Sequence, residues 1–201
     1  MAALTLLPLA QAEVYFQPAF LPIPEATALF SELTATVAWR QDSIQLFGKQ
    51  VPQPRLTAWY GDEHAAYSYS GLYLRPQPWT EPLQRLRRQV AEATGQPFNS
   101  VLLNLYRTGQ DSMGWHADDE PELGPNPVIA SVSLGATRRM RFRPRLSLLP
   151  DAAPFGLDLP AGSLLLMQGA TQHTWQHAIP KTARAVGPRL NLTFRSVQGR
   201  L

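Results

Sequence analysis

The run RLNLTFR, residues 189–195, limits what this chain can fold into more than any other stretch. In extended backbone successive side chains alternate, so Leu190, Leu192 and Phe194 share one face and Arg189, Asn191, Thr193 and Arg195 share the other. One face asks for a core. The other carries two guanidinium groups six residues apart. Either that face lies in water on an edge strand, or it lines an interior where anionic partners offset the burial of charge. A dicarboxylate lying between them would satisfy the second arrangement, one end on Arg189 and the other near Arg195.

A second segment, Asn99 to Asp118, can supply partners. Its strand separates Val101, Leu103 and Leu105 from Leu102, Asn104 and Tyr106, and the last two can donate hydrogen bonds to the same carboxylates. A polar loop with Gly109 and Gly114 then leads to His116-Ala117-Asp118. Side chains two apart on extended backbone share a face, so His116 and Asp118 can close on one ion. With a second, distant imidazole they make the two-histidine, one-carboxylate triad of non-haem Fe(II) oxygenases. His173 and His177, in the run ATQHTWQHAIPK, are the candidates for that ligand, and spacing alone does not separate them. A bare His-x-Asp is common by chance, so its weight comes from the arginine-bearing strand.

The chain has no cysteine. That excludes disulfides, thiolate catalysis and Cys-ligated zinc or iron–sulfur centres, and leaves His and carboxylate as metal donors. At 201 residues the chain reads as one domain, residues 24–201, behind an N-terminal lead-in, residues 1–23. Sixteen arginines stand against two lysines, Lys49 and Lys181. Such a balance fits a nucleic-acid partner, and it also fits coding bias toward arginine. No apolar run is long enough to cross a membrane. The start, MAALTLLPLAQA, lacks the basic residues of a secretion signal. The expectation is a cytoplasmic monomer, nucleoid-associated in a bacterium or nuclear in a eukaryote.

Along the chain, the lead-in reads as irregular or as an edge strand, with Pro8, Pro18 and Pro22 in it. Pro24 suits a helical first turn, and Ala28, Leu29, Leu33 and Val37 fall at helical spacing through about Trp39. Residues 44–75 read as hairpins. Phe47-Gly48-Lys49 sits at a tip, where the ring can wedge between bases or fold back on the core. Tyr67 and Tyr69 share a strand face, as core or as the wall of a pocket for a flat ligand. A helix runs from Thr80 to Thr94, ended by Gly95, with Leu83, Leu86, Val90 and Ala93 as its buried stripe. VIASVSLG reads as a strand buried on both faces. In ATRRMRFRPR, Met140 and Phe142 point inward between Arg139, Arg141 and Arg143. Three guanidiniums on one strand face repel unless an anion lies among them, and a phosphate backbone or plain solubility can explain the row. AGSLLLMQG is a further buried strand, and ATQHTWQHAIPK a loop. Two helices followed by many short strands suggest a mainly β (α+β) fold, helices flanking a β-sandwich or jelly roll.

Together the runs NLY (104–106), WHADDE (115–120), ASVSLGATR (130–138), His177-Ala-Ile-Pro-Lys and PRLNLTFR (188–195) resemble, in order and spacing, the AlkB family of Fe(II)/2-oxoglutarate-dependent dioxygenases. The resemblance covers roughly Phe47 to Arg195. It implies a double-stranded β-helix core, Fe(II) as metal, and 2-oxoglutarate and O2 as co-substrates. By position it implies His116, Asp118 and His177 as iron ligands, with His177 preferred to His173 because it begins the H-x-x-P-type run. Asn104, Tyr106, Arg189, Asn191, Thr193 and Arg195 match the family's 2-oxoglutarate positions. Tyr67, Tyr69 and Asp119 match residues that hold the methylated base, Glu120 a helper behind them, and Trp59 lies in the QPRLTAWYG run of one branch.

The implied activity is demethylation of 1-methyladenine and 3-methylcytosine in DNA, single- or double-stranded, with RNA as a further substrate, and with release of formaldehyde. QPRLTAWYG, NSVLLNLYR and GATQ-x-x-WQH resemble a branch that favours single strands and also acts on RNA; the tip Leu46-Phe47-Gly48-Lys49 resembles one that works on duplex DNA. Methylation blocks pairing and makes the base cationic, so extrusion is easier, and Tyr67 and Tyr69 can add cation–π attraction of roughly 1 kcal/mol. Two alternatives stand beside this. A hydroxylase acting on protein or a small molecule shares the triad and has no use for the arginine row. A non-catalytic nucleic-acid module keeps the arginines and tolerates loss of His116.

Overall fold

A computed structural model describes residues 3–46, 49–65, 67–69 and 72–198; for 44–46, 49, 67–69 and 72–74 it describes the backbone alone. Strands β1 (Thr5–Leu6) and β2 (Glu13–Gln17) precede helix α1 (Ile23–Thr36). Hairpin β3 (Ser43–Leu46) and β4 (Lys49–Pro52), strand β5 (Leu56–Gly61), hairpin β6 (Tyr67–Tyr69) and β7 (Leu72–Leu74) and helix α2 (Glu81–Thr94) follow. Then come β8 (Ser100–Tyr106), β9 (Met113–His116), β10 (Ile129–Gly135), β11 (Arg138–Pro144), β12 (Phe155–Leu159) and β13 (Ser163–Gln168). A helical turn α3 (Thr171–Thr174) leads into β14 (Trp175–Ile179), and β15 (Arg189–Arg195) is last.

Strand chemistry explains the layers. The larger sheet has the order β1-β2-β13-β10-β15-β8-β5, the smaller β12-β11-β14-β9. On β8 and β15 one face is wholly apolar. Val101, Leu103, Leu105, Leu190, Leu192 and Phe194 form a single core with Leu29 and Leu33 of α1 and Leu83, Leu86 and Val90 of α2. The helices therefore cover the outside of the large sheet. A second core, with Ile129, Leu165, Met167, Met140, Phe142, Trp175 and Ile179, fills the space between the sheets. This is a jelly roll, and the polar face of β15 looks into it. The edge-strand alternative is excluded, because β15 is paired on both sides, to β10 and to β8.

Several details differ from the sequence reading. The lead-in does supply an edge strand, β1, but β2 beside it is an inner strand of the large sheet, pairing with β13 over Glu13–Gln17. Helix α1 ends at Thr36, where Val37 is already extended, and it buries Ala26 while Ala28 is exposed. Ala93 is exposed too, the buried stripe of α2 being Leu83, Leu86 and Val90. The segment ATQHTWQHAIPK is a helical turn followed by a strand, not a loop. At the end of β10, Gly135 has φ +79°, and a Cβ there would lie 2.5 Å from the Pro188 carbonyl, so only glycine lets β15 start this close.

Between β8 and β9 the chain must reverse to deliver His116. Asp111 holds that turn, accepting from the Arg107 backbone N–H at 2.9 Å, Nε at 2.8 Å and Nη2 at 3.0 Å. Burial opposes its charge, and the hydrogen bonds from Arg107 outweigh it, so its carboxyl stays below the ordinary value. A lowered folded pKa gives stability that is present above the unfolded pKa and is lost as pH falls through the folded one. Because Arg107 is half exposed, solvent screening limits the effect. Asp111→Asn is expected to lower urea-unfolding stability by about 1 kcal/mol at pH 7. The difference from wild type should shrink below about pH 4; a pH-independent difference would mean that packing, not charge, holds the turn.

Candidate active site

Strands β14 and β9 pair so that His177 lies opposite His116, with ring centroids 4.2 Å apart. Asp118 follows β9 by two residues and is 2% exposed. One ligand atom from each of His116, Asp118 and His177 lies within 4.8 Å of the others, so the three could hold one metal ion. The His116 Nδ1 is 2.9 Å from the Gly114 carbonyl. Donation there leaves the Nε2 lone pair for a metal. Asp118 is oriented by its own N–H, which donates to Gln172 Oε1 at 3.0 Å, and by Arg195 Nη2, which donates to its Oδ1. Burial would raise the Asp118 pKa; the Arg195 guanidinium paired with it holds it lowered. Burial and the neighbouring His116 push His177 down to about 4, so it is a neutral imidazole, the form that ligates. His173 is exposed and turned toward the Pro125 carbonyl, outside the cluster.

The triad lines a cavity together with Arg55, Asn104, Tyr106, Ser131, Arg189, Asn191, Thr193 and Arg195, among others. Arg189 is 1% exposed. Its Nη2 donates to Ser133 Oγ at 2.9 Å and Asn191 Oδ1 at 2.8 Å, while Nε and Nη1 have no partner among the described residues. Burial pushes its pKa down to about 10, with Tyr106 opposing. A buried guanidinium with two donors left over suits a carboxylate. Arg195 divides its role, since it pairs with Asp118 as well as lining the cavity. A second cavity of about 220 Å³ adjoins the first, Leu102 and Arg195 lining both. Trp59, Thr57, Gln77 and Glu120 also line it.

Of the residues expected to hold a base, Trp59 and Glu120 border this outer cavity. Glu120 has a buried Oε2 without a partner among the described residues, and burial pushes its pKa up. Asp119 does not border it; its carboxylate is ion-paired with Arg145 at 3.0 Å. Tyr67 and Tyr69 lie on β6 with side chains outside the described residues, as do Phe47 and Gly48 altogether, and Lys49 opens β4. The arginine row does share one exposed face. Part of its repulsion is relieved within the protein, so the row by itself does not require an outside anion. Arg139 pairs with Asp158 at 3.1 Å, and Arg143 donates to Gln176 and lies 4.5 Å over the Trp115 ring. Arg141 alone in that row has no such partner among the described residues.

Sequence reasoning missed Arg55, whose Nε donates to Asn104 Oδ1 at 2.8 Å. It missed Ser131 and Ser133 as well, although their two-residue spacing inside VIASVSLG marks one face of β10.

A profile of the "2OG-Fe(II) oxygenase superfamily" matches residues 13–195. The chain belongs to that superfamily. Among its relatives is bovine "Alpha-ketoglutarate-dependent dioxygenase alkB homolog 3", 43% identical over 190 residues, covering 90% of this chain and 64% of the relative. The human protein of that name is 41% identical over 204 residues, covering 96% and 69%. Mouse "DNA oxidative demethylase ALKBH2" is 43% identical over 180 residues, covering 86% and 75%. The chain thus spans about two thirds of the length of the homolog 3 proteins, and it is placed in the AlkB family by these identities. A solved structure, "The structure of OsALKBH1", superposes with a TM-score of 0.63 at 16% identity over 96% of this chain and 99% of that one, which shows the fold alone.

For an AlkB-family chain the metal is Fe(II) and the co-substrates are 2-oxoglutarate and O2. The donor set present, two imidazoles and one carboxylate with open positions, fits Fe(II), and the unsatisfied Arg189 donors fit a carboxylate of 2-oxoglutarate. Removing one ligand should be felt strongly: Asp118→Ala is expected to weaken Fe(II) binding by at least about 100-fold, since even outer partners of metal ligands are worth 10–100-fold. Metal content after gel filtration checks it. Full retention would place the metal elsewhere.

Proposed function

We propose that this AlkB-family chain removes methyl groups from N-alkylated bases of nucleic acid, 1-methyladenine and 3-methylcytosine among them. The observation that carries the reading is the junction of two cavities. The inner one holds the triad and Arg189; the outer, large enough for a single flat ring system, opens beside it across Leu102 and Arg195. The names of the relatives, alkB homolog 3 and DNA oxidative demethylase, support the same chemistry.

In this reading His116, Asp118 and His177 hold Fe(II). When bound, that metal couples decarboxylation of 2-oxoglutarate to hydroxylation of the N-methyl group, and the hydroxymethyl product sheds formaldehyde. Arg189 clasps the distal carboxylate of 2-oxoglutarate, with Tyr106 and Asn191 beside it. Asn104, oriented by Arg55, and Thr193 border the chain of the co-substrate. Arg195 keeps Asp118 ionised and turned toward the metal.

Trp59 and Glu120 receive the extruded base. A methylated base is cationic, so the buried Glu120 carboxyl is the group placed to complement it, in place of Asp119, whose charge Arg145 already neutralises. DNA and RNA share this chemistry, in single strands most simply because no partner base need be broken away. Arg141, which has no partner among the described residues, is the cation of the exposed row available to a phosphate.

Formaldehyde release from matched single- and double-stranded oligonucleotides, each with one 3-methylcytosine, tests the reading. Release is expected only with Fe(II) and 2-oxoglutarate both present. If methylated oligonucleotide fails to raise 2-oxoglutarate turnover, a hydroxylase of protein or small molecules is the better reading. In the same assay Glu120→Gln is expected to lower kcat/KM about tenfold or more, the value of a hydrogen bond to a charged group. Asp119→Asn should stay within about threefold, as for a surface ion pair. The opposite order would make Asp119 the base-reading carboxylate.

A further inference from the structure

Arg138 opens β11 on the same side as Met140 and Phe142 and is 3% exposed. Its Nη1 donates to the Thr108 carbonyl at 3.2 Å; its Nη2 donates to those of Asp111 at 3.0 Å and Pro180 at 2.8 Å. These carbonyls belong to two connections that join strands lining the inner cavity. One begins after Tyr106 and ends on the strand of His116. The other begins after the strand of His177 and ends at Arg189. The connections also touch each other: the Thr182 N–H donates to the Gly109 carbonyl at 2.9 Å, and a Cβ on Gly109 would lie 2.6 Å from the Thr182 carbonyl.

The Arg138 guanidinium lies 5.7 Å from the centroid of the Tyr106 ring, and that of Arg189 lies 5.3 Å from it. Tyr106 is therefore held by two cations, only one of which borders the cavity. Burying a second full charge this close to the first is costly, and three carbonyls offset it only in part. Arg138's charge is one of the causes that lower the Arg189 pKa, after burial. Two cations so arranged are complementary to an anion.

We infer that Arg138 is a positioning residue for the co-substrate. It ties both connections together, sets the Tyr106 ring, and adds positive potential behind the carboxylate that Arg189 clasps. The inference rests on the reading that 2-oxoglutarate binds at Arg189. Lysine would keep the charge and lose the fork that reaches three carbonyls.

Calorimetric titration of 2-oxoglutarate into the Mn(II)-loaded, anaerobic protein tests it, with the melting temperature and the KM for methylated oligonucleotide measured alongside. Arg138→Met is expected to raise the 2-oxoglutarate Kd about tenfold and Arg138→Lys about threefold, at an unchanged oligonucleotide KM. A lower melting temperature with an unchanged Kd in both variants overturns the inference and leaves Arg138 a staple. Should Arg138→Met fail to fold, Arg138→Lys decides by the same criterion. Arg189→Met is the control. If it binds 2-oxoglutarate like wild type, the co-substrate reading itself fails, and the role of Arg138 with it; if it is impaired while both Arg138 variants are not, only the role of Arg138 falls.

Discussion

A guanidinium enclosed in a barrel is the constraint from which the rest of this site follows. Arg189 is almost wholly removed from water, and the effective penalty for burying an ion is several kcal/mol even after relaxation. Ser133 and Asn191 satisfy one nitrogen, leaving Nε and Nη1 without a partner among the described residues and open to carboxylate oxygens. The fold permits this because β15 is a central strand with a divided personality. Its leucines and Phe194 pack against the helices, while its polar face is turned between the sheets. The apolar half supplies the stabilisation that lets the polar half stay buried.

The metal side obeys the same rule with the sign reversed. Asp118 is a buried anion, and it stays ionised because Arg195, at the other end of the same β15 face, is paired with it. One strand thus carries at one end a buried cation with donors left over among the described residues, and at the other a cation paired with Asp118. His116 and His177 are then brought together by the register of β9 and β14, and burial keeps His177 a neutral imidazole.

Much of this was legible in the amino-acid order, and what was hidden was hidden for definite reasons. The alternation in RLNLTFR and NSVLLNLYR assigned the right faces because each strand is buried on both sides with unlike chemistry. The choice between an edge and a central strand needed the pairing partners, which no local pattern holds. The strand that carries His177 is short and follows directly on a helical turn, α3, so no run of alternating residues announces it. Arg138 was passed over amid its neighbours, although its parity with Met140 and Phe142 already put it inside. The helix stripes were wrong only at Ala28 and Ala93, where a small side chain gives the periodicity little weight. Asp119 and Glu120 could not be ranked from adjacency; the turn after β9 sends one to Arg145 and the other toward the cavity.

The central claim is that Arg189 recognises the distal carboxylate of a keto-diacid held beside the metal. It is tested most directly by anaerobic titration of the Fe(II)-loaded protein with 2-oxoglutarate and with 2-oxopentanoate, which has the same chain without the second carboxylate. Wild type is expected to prefer 2-oxoglutarate by about 10–100-fold, the worth of a hydrogen-bonded buried charge pair, and Arg189→Met to lose that preference. A preference that survives in Arg189→Met would contradict the account.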